Sequence, residues 1–328
     1  MTRVFVLILC PTRELASQIA AETNVLLRYH DGIGMQTLKR PESNPCQVCT
    51  LDEAGHLLDL GFRKDIEKIV ECLPRQRQSL LFTATLPKEV RRVSQLVLQK
   101  DHIFVDTVGL GSVETHAKVK QSCFVAPHEL HFQIVHQLLM EHISESPDYK
   151  VWCYGFLDSN VWLVLKRLIL VTSDVSACGM NYPDVTLVIQ VCIPSDREQY
   201  IHHLGRTGRE GKEGRGILLL APLEEYFLDE LKDLPVEKFP SLQLDQDTKL
   251  KIDNSMTKID TSIKESAFHA WLGYYNSIRE TGRDKTTLVE QANKFCESID
   301  SLEDGFERHT WHKNTKVGRN LEHGKATW

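Results

Sequence analysis

Arg206 and Arg209 stand three residues apart in the stretch SDREQYIHHLGRTGREGKEGRGILLLA, which runs from Ser195 to Ala221. Arginine presents a planar fork of donors to phosphate oxygens, and a pair at a helix end suits the negative charge of a transferring phosphoryl group. Glu210 and Glu213 cancel part of that charge, so a solvated basic turn competes with this reading while the motif is taken alone. A second candidate is the acidic pair in Leu51-Asp52-Glu53-Ala54. At a strand end, Asp52 can hold hydrated Mg²⁺ while Glu53 orients or deprotonates an attacking water; in isolation such a pair is more often simply solvated. A third is Pro11-Thr12-Arg13-Glu14, directly after the apolar run Val4 to Leu9. A helix starting there offers free N–H groups to an anion, with Thr12 and Arg13 adding side-chain donors, although a plain capped helix has the same pattern. Thr83-Ala84-Thr85 follows another strand-like segment, where hydroxyls can bond the carboxylates of a neighbouring strand end.

The elements that must hold these residues can be read from periodicity. Val4 to Leu9 is an unbroken apolar run, which predicts a parallel strand covered on both faces. Leu15, Ile19 and Leu26 then recur at helical spacing, as do Ile66, Ile69, Val70 and Leu73, and later Phe132, Val135, Leu138, Leu139 and Ile143. Further strands are predicted over 79–82, 150–156, 168–172, 185–191 and 216–220. Ser195 and Glu198 have the spacing of a capping box, which places a helix start before Tyr200, Ile201 and Leu204. Strands alternating with helices in both halves predict an α/β protein with two lobes built on parallel sheets. The boundary is expected near Gly109, giving lobes over 1–108 and 109–222, a helical extension over 223–303 and a tail over 304–328. In the extension, Ala267, Trp271, Leu272 and Tyr275 could stack on bases, but their helical spacing favours core. The tail lacks periodicity and is expected to be disordered, with Arg308, Lys313, Lys316 and Arg319 available for weak attraction to RNA.

Composition is that of an ordinary globular protein: 328 residues, 41% hydrophobic, 26% charged. A net charge of -6 excludes a global basic field, so any nucleic-acid contact must be local. Nine cysteines are scattered through apolar runs, which favours reduced thiols and an intracellular location. Cys46-Gln47-Val48-Cys49 has no second pair at zinc spacing, and His128-Glu129-Leu130-His131 and His309-Thr310-Trp311-His312 are short of partners, so no metal site is expected from them. No apolar run is long enough to span a membrane.

Taken together, the motifs resemble those of DEAD-box ATP-dependent RNA helicases. PTRELA (Pro11 to Ala16) is similar to the family's motif Ia, LDEA (Leu51 to Ala54) to motif II and TAT (Thr83 to Thr85) to motif III. TSDVSACG (Thr172 to Gly179) resembles motif V, and HHLGRTGR (His202 to Arg209) resembles motif VI. The resemblance implies two RecA-like lobes and ATP, Mg²⁺ and RNA as ligands. It assigns Asp52 to Mg²⁺ through water, Glu53 to the attacking water, and Arg206 and Arg209 to the γ-phosphate. Pro11, Thr12, Arg13, Glu14, Thr172, Ser173 and Asp174 would lie near RNA. Thr83, Thr85 and His202 would couple hydrolysis to unwinding, and Gly179 and Asn181 would face the nucleotide.

The departures are as specific as the matches. Neither Gly211-Lys212 nor Gly324-Lys325 has the glycine and hydroxyl residue of a P-loop, and the adenine-reading Q motif is not seen. Gly55 stands where the family has the last aspartate of motif II, Cys178 and Asn181 replace an arginine and an aspartate of motif V, and His203 replaces an arginine of motif VI. Only residues 17–51 separate Ala16 from Asp52, and only Gly155 to Arg167 separate the motif IV-like Val151-Trp152-Cys153-Tyr154 from the next strand, so interior segments look deleted. Both sheets are expected to be incomplete, with exposed apolar faces and edges. Weak or absent ATP hydrolysis follows as the expectation. The alternative is a non-enzymatic RNA- or protein-binding remnant of a helicase.

Overall fold

The computed structural model describes residues 5–30, 32–35, 46–59, 61–83, 88–107, 119–155, 160–164, 167–172, 184–209, 212–240, 242–282 and 284–299. Thr85, Ser173, Asp174, Gly179, Asn181 and the tail after 303 therefore lie outside the described residues. The chain divides into two compact units, Met1–Glu114 with Thr172–Pro183, and Thr115–Val171 with Asp184–Trp328.

The first unit is built on a three-stranded parallel sheet in the order β1 (Val6–Leu9), β2 (Val48–Leu51), β3 (Gln78–Leu81). Its helices are α1 (Arg13–Leu26), α2 (Ala54–Asp59), α3 (Arg63–Glu71) and α4 (Lys88–Val97). Leu51, Leu57, Ile66, Val93 and Val97 form its core. The expectation that the first strand is covered on both faces is not met: β1 is an edge strand and Val6 is 52% exposed. Along α1 only Leu15 is buried, while Leu26 is 75% exposed. The apolar stripe is present, but among the described residues it is left largely uncovered.

The second unit carries a seven-stranded sheet in the order β10-β4-β9-β8-β5-β7-β6. These strands are β4 (Val119–Val125), β5 (Lys150–Tyr154), β6 (Asn160–Val164), β7 (Arg167–Thr172), β8 (Leu187–Val191), β9 (Gly214–Leu220) and β10 (Val236–Phe239). β4, β5, β8, β9 and β10 pair in parallel, as expected of a lobe built on a parallel sheet, and β6 adds an antiparallel pairing to β7 at one edge. The segment joining β5 to β7 is too short for a helical crossover, and a hairpin is the connection short chains allow. Helices α5 (His131–Glu145), α6 (Arg197–Leu204), α7 (Gln246–Met256), α8 (Thr261–Ser277) and α9 (Lys285–Ile299) complete it. The cap of α6 falls on Asp196, not Ser195: Asp196 Oδ1 accepts from the Gln199 N–H at 2.7 Å. Trp271 and Tyr275 of α8 are 1% and 0% exposed, so they are core and not a stacking platform for bases. No described helix is long and apolar enough to cross a membrane.

Candidate functional site

Three segments share the carboxyl edge of the first sheet. Register aligns Leu9 with Leu51 and Leu51 with Leu81, so the residues that follow β1, β2 and β3 emerge side by side. From β1 come Cys10, Pro11 and Thr12; from β2, Asp52 and Glu53; from β3, Phe82 and Thr83. Backbone bonds lock this edge: Asp52 N–H donates to Leu9 O at 2.9 Å and Ala54 N–H to Phe82 O at 3.0 Å. The end of an open parallel sheet is where ligands gather, because helix starts and loop side chains converge there.

Thr12 caps α1, its hydroxyl accepting from the Leu15 N–H at 3.2 Å, while Arg13 and Glu14 begin the helix exposed to solvent. Glu53 has a backbone φ of 50°, in the left-handed region, and its N–H donates to Asp52 Oδ1 at 3.1 Å. A non-glycine residue held there stores strain of about 1–3 kcal/mol. The Cys10 thiol is pushed up to about 11, first by burial and then by the negative charge of Asp52. Two half-buried carboxylates at a strand end form a hard oxygen donor set that fits hydrated Mg²⁺. Gly55, where motif II would place a third carboxylate, is buried.

In the second unit Arg206 and Arg209 lie on the turn that ends α6. Arg206 is 6% exposed, and Arg209 Nε donates to Gly205 O at 2.9 Å. The turn is fastened by Thr207, whose hydroxyl donates to Val185 O at 2.5 Å, and by Gly208 at a φ of 68°. Two of the following glycines serve packing and not anion binding. A Cβ on Gly214 would meet Thr207 Oγ1 at 2.3 Å, and one on Gly216 would meet Leu204 Cδ1 at 2.1 Å. His202 sits half-buried on the last turn of α6. His203, in place of an arginine, stacks on Tyr154 with ring centroids 3.5 Å apart and lies 2.9 Å from both Gln190 Oε1 and Gln199 Nε2. Since the glutamine oxygen accepts and the amide nitrogen donates, His203 carries its proton on Nδ1 and is neutral in this network. Thr172 ends β7 and is fully buried.

Sequence reasoning missed one cluster. His128, His131 and Cys192 are buried together in the second unit, with one ligand atom of each within 4.8 Å of the others. The two histidines were legible, but Cys192 is 61 residues after His131, and the β4-β9-β8 order of the sheet brings it back.

A two-unit α/β chain with an acidic pair at a parallel-sheet edge and an arginine turn after a second sheet has the architecture of the RecA-like helicase class. The comparisons with known proteins are specific. A family model described as DEAD/DEAH box helicase matches residues 34–93, and one described as helicase conserved C-terminal domain matches residues 165–211. "Probable DEAD-box ATP-dependent RNA helicase 48" of Arabidopsis thaliana is 58% identical over 365 residues, covering 90% of this chain and 46% of that protein. DEAD-box ATP-dependent RNA helicase 31 of Oryza sativa subsp. japonica is 45% identical, over 90% of this chain and 67% of that protein. The solved structure of DEAD-box helicase Mss116 bound to ssRNA and UDP-BeF superposes with a TM-score of 0.78 at 22% identity, over 97% of this chain and 81% of that one. The chain belongs to the DEAD-box helicase family. It spans about half the length of the Arabidopsis relative. The match to that relative runs over 365 residues while taking in 90% of a 328-residue chain, so the relative carries residues inside the matched span that this chain lacks.

Proposed function

We propose that this chain is an ATP-dependent RNA helicase by lineage, with ATP and RNA as its ligands, and that in its 328-residue form it hydrolyses ATP weakly or not at all. The observation that carries the lineage is the shared sheet edge: Thr12 and Arg13, Asp52 and Glu53, and Thr83 emerge from three adjacent parallel strands. Asp52 would hold Mg²⁺ through water, and the ion when bound would neutralise phosphate charge. Glu53 would orient or deprotonate the attacking water. Arg206 and Arg209 would take up the charge that develops on the γ-phosphate. Pro11, Thr12, Arg13 and Glu14, with Thr172, Ser173 and Asp174, would face the RNA backbone, and Thr83, Thr85 and His202 would link the two activities. Gly179 and Asn181 would face the nucleotide.

The weakness of hydrolysis is inferred from residues inside the matched span. Gly55 brings no carboxylate to the end of motif II, and the matched span of the Arabidopsis relative holds residues that this chain lacks. The half-exposed edge strand β1 supports the same reading, since the side chains aimed by that edge rest on a thin sheet. RNA-stimulated release of radiolabelled phosphate from ATP, compared between the wild type and Glu53→Gln, tests the proposal. Background turnover in both supports it; turnover that RNA stimulates and Glu53→Gln abolishes would overturn the claim of impairment and keep the lineage.

A further inference from the structure

We propose that His128, His131 and Cys192 form a three-ligand binding site for a thiophilic divalent cation of the zinc class inside the second unit. The hydrogen bonds around the two rings decide their protons. His131 Nε2 lies 2.8 Å from Ala126 O, and a carbonyl only accepts, so Nε2 carries the hydrogen and Nδ1 presents its lone pair. That Nδ1 lies 3.9 Å from Cys192 Sγ. Tyr275 gives its hydroxyl hydrogen to Glu224 Oε1, so its oxygen accepts from His128 Nε2, which is 2.9 Å away. His128 Nδ1 is then also a bare lone pair, and it is buried with no hydrogen-bond partner. Metal-binding histidines are held in this way, with the second ring nitrogen donating to a carbonyl or to a hydrogen-bonded relay.

Dimensions and charge agree with the chemistry. Zinc–nitrogen distances of about 2.0–2.1 Å and a zinc–sulfur distance of about 2.3 Å put ligand atoms of a shared tetrahedral ion about 3.3–3.6 Å apart. One ligand atom from each residue already lies within 4.8 Å of the other two, and His131 Nδ1 and Cys192 Sγ are 3.9 Å apart. Glu224 is 0% exposed and is bonded by the N–H groups of Ile193 and Ala221 and by Tyr275, all neutral donors. A divalent ion bound to a Cys192 thiolate leaves one positive charge, and the adjacent Glu224 carboxylate balances it. Cys192 is also held at a φ of 70°, a conformation that cysteine rarely adopts.

The test uses the 328-residue protein loaded with zinc and passed through a metal-free exchange column, then with Co²⁺ as the spectroscopic probe. Cys192→Gly removes the ligand, and glycine suits the backbone there, so the variant should fold; its circular dichroism melt checks this. The expected result is close to one zinc per chain and a thiolate-to-cobalt charge-transfer band, both lost in Cys192→Gly and both kept in Cys46→Ser. Less than half an equivalent of zinc in the wild type, a band unchanged by Cys192→Gly, or a band lost in Cys46→Ser instead would each overturn the assignment.

Discussion

Tyr275 donates its phenolic hydrogen to Glu224 Oε1 at 2.5 Å, joining helix α8 to the start of the segment Pro222–Leu231 across 51 residues of sequence. Both groups are fully buried, and His128 completes the relay from the far side of the phenol. The helical region after the second sheet is thereby fastened to the sheet's own connecting loops, with Trp271 stacked on Phe295 of α9 and packed edge-on to His128.

Removing one hydroxyl from that relay has a defined cost. Tyr275→Phe leaves Glu224 short of a donor and His128 Nε2 short of an acceptor inside a dry core. A loss of about 1–3 kcal/mol in urea unfolding is expected, with the m-value unchanged. A change below about 0.5 kcal/mol would show that the bond does not hold the helix in place.

In metal-free buffer the same cluster sets a pH dependence. Burial, with a smaller contribution from His131, lowers His128 from 6.5 to about 3, and burial lowers His131 to about 4. Their folded values lie below the unfolded one, so the unfolded chain binds more protons and stability is lost as pH falls from 6.5 towards 4. Burial raises Glu224 from 4.5 to about 7, opposed by its three donors. That group acts in the other sense: its contribution is full below 4.5 and is lost as pH rises through 7. Tyr275 and Cys192, both raised by burial, stay protonated across this window. Two imidazoles outweigh one carboxyl, so net stability should fall on acidification below 6.5, and Glu224→Gln should steepen that fall. Chemical denaturation at a series of pH values checks the sign.

The sequence shows most of the local frame and little of its completeness. Apolar runs located β1, β3, β5, β7, β8 and β9 to within a few residues, because these strands keep unbroken apolar stretches whether they lie at the edge or in the middle of a sheet. β4 escaped notice because Lys120, Gln121 and Ser122 interrupt its pattern; Gln121 is nevertheless buried, accepting from the Tyr200 hydroxyl at 3.0 Å. β10 is a four-residue edge strand with three exposed residues, too short and polar to read. The exposed side of α1 was hidden for another reason: a helix keeps its apolar stripe even when its cover is missing. The His128–His131–Cys192 cluster depends on contacts between β8, β9 and the loop before α5, which no local spacing encodes.

Glycines after the arginine turn give a separate check. Gly214→Ala would force a Cβ into Thr207 Oγ1 at 2.3 Å and the Gly208 nitrogen at 2.9 Å. Because one of those neighbours is backbone, a loss of about 1–3 kcal/mol is expected. The turn bearing Arg206 and Arg209 should shift with it. Proteolysis within 205–214 that is no faster than in the wild type would contradict this.

Cys192 offers an inversion of the usual order of substitutions. In metal-free protein, Cys192→Gly should be about 1 kcal/mol more stable than Cys192→Ala, because only alanine retains the left-handed strain. Thermal melts of the two variants side by side decide it, and alanine ranking above glycine would remove the strain argument.

Hydrolysis of ATP by the 328-residue protein, followed by radiolabelled phosphate release with saturating single-stranded RNA, tests the central claim most directly. Turnover indistinguishable from Glu53→Gln is the predicted result, since Gly55 brings no carboxylate to the end of motif II beside it. RNA-stimulated turnover that disappears in Glu53→Gln and in Arg209→Ala would contradict it and show a working enzyme.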